Sequence, residues 1–514
     1  MSGSDHRIIV GQTGQNVLGL AIGAVATFAA QVLITNALGD EAFGVVTLTT
    51  QAAFIAAAAT RFGMDVANVR LVSILAGRDE VARARGLVRR SVGIAAAVSV
   101  PFGVVAFLLS PWVAERFTAV PELAEPAFRA AAVTVPFAAL AFVYMGATRG
   151  LKIMRYTLYS QWIVQPIGWI VLTIAFWVGS KTAGMTTLAF GASWALALAV
   201  AFSGWEREQR RLPARGGVDG GIAEEHAGAL VRFGAMRAPA TLFSQLIFWT
   251  DLFVLSVLWS DRGSAGASQV GVYGAVLRAG QALFLFLTSV SLTFSPFVAD
   301  LHHRGERERL DGLYKNVTRW TLAATIPVLL VLGILPEETL RIFGPEFTSG
   351  ADALRILIVG MIVPVMVGTV GFILIMAGRT GWDLVVYLGG FAIDIGVALV
   401  LAGPSSLGIR GAAIAQALTL SFSAVARLLL VRHFLGIWPF DRTWGRLVVP
   451  TLVGALTMGL AHAVIPNEKW VLDLLVSAAL GAGAYGTAML VIGLSPTERV
   501  SLVRLIRGRS SPAG

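Results

Sequence analysis

The chain has 514 residues, of which 56% are hydrophobic and only 14% are charged, and its mean hydropathy is +0.74. Soluble domains carry about 25% charged residues, so this composition excludes an ordinary water-soluble protein. The chain has no cysteine, which excludes disulfides, thiol catalysis and cysteine-ligated metals. The net charge of +10 does not require a nucleic-acid partner, because membrane proteins accumulate Arg and Lys on their cytoplasmic side.

The predicted elements are long apolar helices. Residues 1–14 contain one Arg and no small-residue cleavage site, which is typical of a retained cytoplasmic leader rather than a signal peptide. From residue 15 onward, apolar runs of about 20 residues recur along the chain, and this length crosses a hydrocarbon core of about 30 Å. The pattern predicts an all-α polytopic membrane protein with about fourteen transmembrane helices.

Breaks between the runs divide the chain into two lobes of about six helices each, followed by two extra helices. The one long Gly-rich polar connector, "RLPARGGVDGGIAEEH", predicts a flexible linker between the lobes. The predicted segments are an N-terminal lobe (15–205), a cytoplasmic linker (206–230), a C-terminal lobe (231–431), two extra transmembrane helices (445–493) and a basic cytoplasmic tail (494–514).

The loops alternate in charge. Segments such as 78–90 and 207–215 are rich in Arg, whereas the loops between them carry residues such as Glu115, Glu122 and Glu337. The positive-inside rule therefore predicts that both termini are cytoplasmic in a multi-pass protein of the inner, or plasma, membrane.

The two lobes share short motifs in the same order. "FGVVTLTTQA" from Phe43 aligns with "YGAVLRAGQA" from Tyr273, and "ATR" ending at Arg149 aligns with "AGR" ending at Arg379. An even number of helices in each lobe makes this a parallel repeat about an axis along the membrane normal. Such a repeat indicates a transporter with its site between the lobes.

Two opposite charges lie within neighbouring apolar runs. Asp251 and Arg278 are predicted at similar depth on helices that run in opposite directions. Intramembrane ionisable side chains face the protein interior or a water-filled cavity and commonly mark transport pathways. The pair is either a static ion pair that holds a helical hairpin or a contact for substrate or a coupling ion.

Five further charges are candidates for the same roles. Asp394 is either a neutral, hydrogen-bonded structural residue or a proton-coupling carboxylate. Arg61 and Asp65 are four residues apart, which favours a local ion pair. Arg129 and Arg355 follow acidic loops and either extend to the membrane interface or face inward around the outer mouth of the protein.

The chain carries no catalytic triad, metal motif or nucleotide-binding motif, so we expect no cofactor, no metal and no enzymatic activity. The neighbouring histidines His302 and His303 could ligate a metal, but their position beside Arg304 favours a solvated loop pair.

Three segments resemble a known family. They are "NALGDEAFGVVTLTTQAAFIAAAATRFGMDVANVR", "TDLFVLSVL" with the following "VGVYGAVLRAGQALFLF" and "SPFVADLHHRGERERLDGLYK", and "FGPEFTSGADALRIL". They are similar to the polysaccharide transporter family of the multidrug/oligosaccharidyl-lipid/polysaccharide flippase superfamily, and the likeness covers nearly the whole chain.

The resemblance implies two six-helix lobes around a central cavity, two extra helices and alternating access. It implies that an undecaprenyl-diphosphate-linked oligosaccharide is moved from the cytoplasmic to the outer leaflet, with a polysaccharide polymerase or ligase as a further partner. The family's acidic and basic residues of the second lobe match Asp251 and Arg278. The first helix lacks the dense arginine cluster of peptidoglycan-precursor flippases, which argues against that substrate.

Two alternatives remain from the sequence. A multidrug and toxin extrusion exporter would use intramembrane carboxylates to bind cationic drugs. A membrane-embedded glycosyltransferase or ligase would need a large hydrophilic loop to shape an active site, and the sequence has none.

Overall fold

The computed structural model describes residues 3–77, 81–211 and 222–494, and this part of the chain is helical without β-strands. The first ten α-helices are α1 (Gly3–Thr60), α2 (Met64–Gly77), α3 (Val81–Phe117), α4 (Pro121–Gly150), α5 (Arg155–Thr157), α6 (Gln165–Trp177), α7 (Ala183–Arg211), α8 (Ile222–Leu246), α9 (Thr250–Leu258) and α10 (Ser264–His303). The other eight are α11 (Arg307–Ile334), α12 (Pro336–Arg341), α13 (Ala351–Val367), α14 (Val370–Met376), α15 (Thr380–Leu401), α16 (Ile409–Leu435), α17 (Val448–Val464) and α18 (Trp470–Ala488). Two π-helices (Leu158–Val164 and Met489–Gly493) and three 3₁₀-helices (Pro345–Gly350, Arg442–Leu447 and Asn467–Lys469) join or extend them.

The prediction of an all-α polytopic membrane protein is confirmed. Within the described residues, 11 helices are long and apolar enough to cross a membrane, or up to 12 if the bent pair Ala238–Leu246 and Thr250–Leu258 is one span. Helix α1 covers two of the predicted spans because it continues through a bend at Gly39 (φ 77°). The number of about fourteen spans stays a prediction.

The chain divides into two compact units. Unit 1 contains Met1–Arg278 and Gly381–Thr419, and unit 2 contains Ala279–Thr380 and Leu420–Gly514. The predicted lobe boundaries stay a prediction. Helix α7 ends at Arg211 and α8 begins at Ile222, so residues 212–221 of the predicted linker lie outside the described residues, as does the tail after residue 494.

Small residues bring the helices of unit 1 together. A Cβ atom added at Gly191 of α7 would lie 2.5 Å from the hydroxyl of Thr134 in α4, and one at Gly184 would lie 2.9 Å from Pro126. A Cβ at Gly44 of α1 would lie 2.7 Å from the carbonyl oxygen of Ala267 in α10. Lipid supplies no hydrophobic force between helices, so such close backbone approach is a main source of their attraction.

Two breaks in the helices position charged residues inside unit 1. Helix α1 ends at Thr60, and Phe62 (φ 51°) and Gly63 (φ 67°) turn the chain into α2. Residues 231–259 form one continuous apolar run in the sequence, but the helix is interrupted after Leu246, and α9 starts at Thr250 with a bend of 56°. Each break frees backbone N–H groups at the start of the following helix.

Candidate functional site

Asp251 lies in the first turn of α9, directly after the break, and is fully buried. Its Oδ1 atom accepts a hydrogen bond from the backbone N–H of Leu252 at 2.9 Å, and its Oδ2 atom accepts one from the hydroxyl of Tyr273 in α10. A carboxylate is stabilised at a helix N-terminus by the helix dipole and the free N–H groups. The break in the span therefore makes the burial of this acid tolerable.

A second buried carboxyl group lies beside the first. Asp394 of α15 is 0% exposed, and its carboxyl group lies next to the backbone N–H of Asp251. The Oγ1 atom of Thr419 lies 3.5 Å from Asp394 Oδ1 and 3.4 Å from the carbonyl oxygen of Gly390, while Asp394 Oδ2 accepts no hydrogen bond in the described structure. Asp251, Tyr273, Asp394 and Thr419 form what we call the carboxyl cluster.

Arg278 does not form the predicted ion pair with Asp251. Its guanidinium group lies over the ring of Trp249, 4.7 Å from the centroid, and its Nε atom is buried without a hydrogen-bond partner among the described residues. Arg278 follows Tyr273 by five positions, and five residues turn an α-helix by about 140°. Tyr273 faces Asp251, so Arg278 is rotated away from Asp251 and meets Trp249 instead.

Arg61 and Asp65 form the predicted local ion pair, although the turn between α1 and α2 lies between them. Arg61 Nε is 3.3 Å from Asp65 Oδ2, and both side chains are about 7% exposed. The guanidinium group also lies 4.4 Å from the centroid of Phe142, and its Nη1 atom has no hydrogen-bond partner in the described part of the chain. Arg149 of α4 lies close enough to interact electrostatically with both.

The structure does not bring Arg129 or Arg355 into a buried cluster. Arg129 Nη2 lies 2.6 Å from Glu125, and Arg355 Nη1 lies 3.1 Å from Asp352. Both arginine side chains are nearly half exposed, at 46% and 45%. Each thus neutralises an acid on its own helix.

The geometry of unit 1 offers two kinds of binding chemistry. The carboxyl cluster presents a buried carboxyl oxygen without a donor next to a second carboxyl, so it can hold a proton or a monovalent cation through oxygen atoms. Arg278 presents a partly buried guanidinium group whose Nε donor is unused among the described residues, which suits a carboxylate or phosphate. Arg61 and Arg149, near the turn between α1 and α2, place two further positive charges beside Asp65.

Three of the residues that complete these arrangements were not singled out in the sequence. Tyr273 lies within the repeated motif "YGAVLRAGQA", five positions before Arg278, and Trp249 lies two positions before Asp251. Thr419 lies in the ordinary apolar segment "AQALTL" and shows no signal of its own. The metal hypothesis for His302 and His303 stays untested, because the side chain of His303 lies outside the described residues.

Comparison with known sequences gives one family match. The profile of a family described as polysaccharide biosynthesis protein matches residues 12–302, more than half of the chain. No curated protein sequence matches the chain.

Solved structures with similar folds are transporters. The inward closed conformation of the lipid II flippase MurJ superposes with a TM-score of 0.71 at 14% identity, covering 93% of this chain and 98% of that one. An inward-facing multidrug resistance MATE family transporter of the MOP superfamily superposes with a TM-score of 0.64 at 16% identity, covering 82% of this chain and 98% of that one. A MOP superfamily transporter from Pyrococcus furiosus, described as having a binding pocket of reverse polarity, superposes with a TM-score of 0.62 at 16% identity, covering 83% of this chain and 95% of that one. At these identities the likeness establishes the fold.

Proposed function

Since the chain belongs to the polysaccharide biosynthesis protein family, we propose that it is a flippase for a lipid-linked polysaccharide precursor. The precursor would be an undecaprenyl-diphosphate-linked oligosaccharide that moves from the cytoplasmic to the outer leaflet by alternating access. A carrier needs no fixed chemistry, only a site that two conformations expose to opposite sides in turn. Both termini would be cytoplasmic in the inner membrane, as the basic loops predict.

The observation that carries this proposal is the partly buried guanidinium group of Arg278, whose Nε atom is buried without a hydrogen-bond partner among the described residues. An unpaired charge inside an apolar chain is costly, so its retention suggests a transported anion as its partner. Arg278 stacks on Trp249, and its Nε donor is unused among the described residues. A diphosphate fits such a group because the planar guanidinium offers two parallel donors.

The carboxyl cluster would supply coupling to an ion. Asp251 and Asp394 are both fully buried, and only one of them has a strong donor in Tyr273. A proton or sodium ion bound between them would neutralise one negative charge in the membrane interior. Its binding would favour one conformation over the other by its difference in affinity for the two.

The test uses purified protein in liposomes with a fluorescent undecaprenyl-diphosphate sugar. We expect Arg278→Lys to retain part of the transport and Arg278→Gln to lose nearly all of it, because a point charge keeps the attraction but loses the two-donor geometry. Arg262→Gln is the matched control, since Arg262 is 54% exposed and paired with its neighbour Asp261. Wild-type transport by Arg278→Gln would refute the proposed anion contact.

A second candidate function is export of cationic drugs. The two buried carboxyl groups favour it, because they could bind a cation directly. The same liposomes loaded with a cationic dye distinguish the two functions. Transport of the dye without transport of the lipid-linked sugar would establish the drug exporter and reject the flippase.

A further inference from the structure

Three titratable side chains that do not belong to the carboxyl cluster meet within unit 2. His462 lies in the last turn of α17, Asp473 lies in the first turn of α18, and Glu338 lies in the first turn of α12. Each offers one nitrogen or oxygen atom, and these atoms lie within 4.8 Å of one another. The neighbouring ends of three helices thus bring one imidazole and two carboxyl groups together.

Asp473 is held in a fixed orientation. It is fully buried, its Oδ1 atom accepts a hydrogen bond from Ser477 at 2.7 Å, and its Oδ2 atom lies 2.7 Å from His462 Nδ1. Ser477 lies one helical turn further along α18. Metal-binding carboxylates are commonly held in this way by a hydrogen bond from outside the ligand set.

Glu338 supplies a second carboxylate, one without a hydrogen-bond or ion-pair partner in the described part of the chain. The residue is only 7% exposed, yet among the described residues it forms no hydrogen bond and no ion pair. The adjacent Glu337 differs in both respects, because it is 59% exposed and lies 3.8 Å from Arg355. A carboxylate that is mostly removed from water and lies beside a second carboxylate favours a cation next to it.

The charges and ligand atoms together fit a divalent metal. With a neutral imidazole the two carboxylates carry two negative charges, which one divalent ion balances. We propose that Glu338, His462 and Asp473 bind a divalent transition-metal ion such as Zn²⁺. One nitrogen and two oxygen ligands are a known zinc set, and water can take the fourth position.

The geometry allows the ion to enter. Zinc bonds of about 2.0–2.1 Å in a tetrahedron place two ligand atoms about 3.3 Å apart, so His462 Nδ1 and Asp473 Oδ2 would separate by about 0.6 Å. The side chain of His462 is 34% exposed, which leaves a path from the surface. The bound ion would link α12 to the hairpin formed by α17 and α18. This site is independent of the proposed transport function.

The experiment measures Zn²⁺ binding by isothermal titration calorimetry on the full-length protein, purified with a histidine-free tag and stripped with a chelator. We expect one ion per chain and at least tenfold weaker binding by Glu338→Gln and by His462→Gln. Ser477→Ala should also weaken binding, by about 10–100-fold, because it removes the hydrogen bond that orients Asp473. Glu337→Gln and His433→Gln are matched controls that should bind as wild type, since both side chains are exposed.

A thermal unfolding scan in chelator checks that each variant is folded. The same scan with Zn²⁺ should show the full rise in melting temperature for wild type and the two control variants, and a smaller rise or none for Glu338→Gln, His462→Gln and Ser477→Ala. Wild-type affinity in Glu338→Gln or His462→Gln would overturn the proposal. It would also fail if wild type showed no Zn²⁺ binding but was stabilised by mild acid, because the three groups would then share a proton instead of a metal.

Discussion

The hydrogen bond from Tyr273 to Asp251 can be measured by a double-mutant cycle with Tyr273→Phe and Asp251→Asn. Both residues are fully buried, and the hydroxyl group is the donor that reaches Asp251 Oδ2. A hydrogen bond to a charged group contributes about 1.5–3 kcal/mol, whereas cycles in a helical membrane protein average about 0.6 and reach about 1.7 kcal/mol. We therefore expect a coupling free energy of about 1.5 kcal/mol.

Two comparisons show whether this coupling is specific. Asp251→Asn with Arg278→Gln should be additive within about 0.5 kcal/mol, because Arg278 contacts Trp249 and shares no partner with Asp251. Tyr314→Phe removes another fully buried hydroxyl, one that donates to the carbonyl oxygen of Val367 at 2.9 Å. Tyr314→Phe should lower the free energy of unfolding by about 1 kcal/mol, the usual contribution of a hydrogen bond to a neutral acceptor.

The assay is reversible unfolding by SDS in mixed micelles, followed by two spectroscopic probes whose transitions must coincide. A coupling below about 0.3 kcal/mol for Asp251 with Tyr273 would refute the hydrogen bond. A coupling above about 1 kcal/mol for Asp251 with Arg278 would instead restore the ion pair that the sequence suggested.

Three further predictions concern ion coupling, helix packing and topology. Asp394→Asn should abolish the dependence of transport on a proton or sodium gradient while leaving the protein folded, and an unchanged dependence would remove Asp394 from the coupling site. Gly271→Ala should destabilise the protein, because the backbone of Asp40 occupies the position of the new Cβ. Gly396 has open space around it, so Gly396→Ala should be neutral or should stabilise the protein by up to about 1 kcal/mol. Equal effects of the two substitutions on the melting temperature would contradict the packing argument. A membrane-impermeant maleimide on intact cells should label a cysteine at Glu337 but reach one at Arg309 only after permeabilisation, and the opposite pattern would reverse the predicted orientation.

The sequence by itself determined the class of this protein. Composition and run length follow directly from the physics of the bilayer, which forces every spanning segment of a helical protein to be long and apolar. The local pair of Arg61 and Asp65 was also predictable, because the two residues are neighbours along the chain. Such inferences need only the solvent and the short-range geometry of a helix.

The tertiary structure decided which buried charges meet. Asp251 and Arg278 have opposite charges and similar predicted depth, but helix rotation directs one to Tyr273 and the other to Trp249. Asp394 and Thr419 join Asp251 in the carboxyl cluster from positions more than 140 residues further along the chain, and no local sequence pattern predicts this contact. Glu338, His462 and Asp473 likewise come together only because three helix ends converge. Contacts between distant segments depend on rotation and on breaks such as the one before Thr250, and neither is encoded in the hydropathy of a single run.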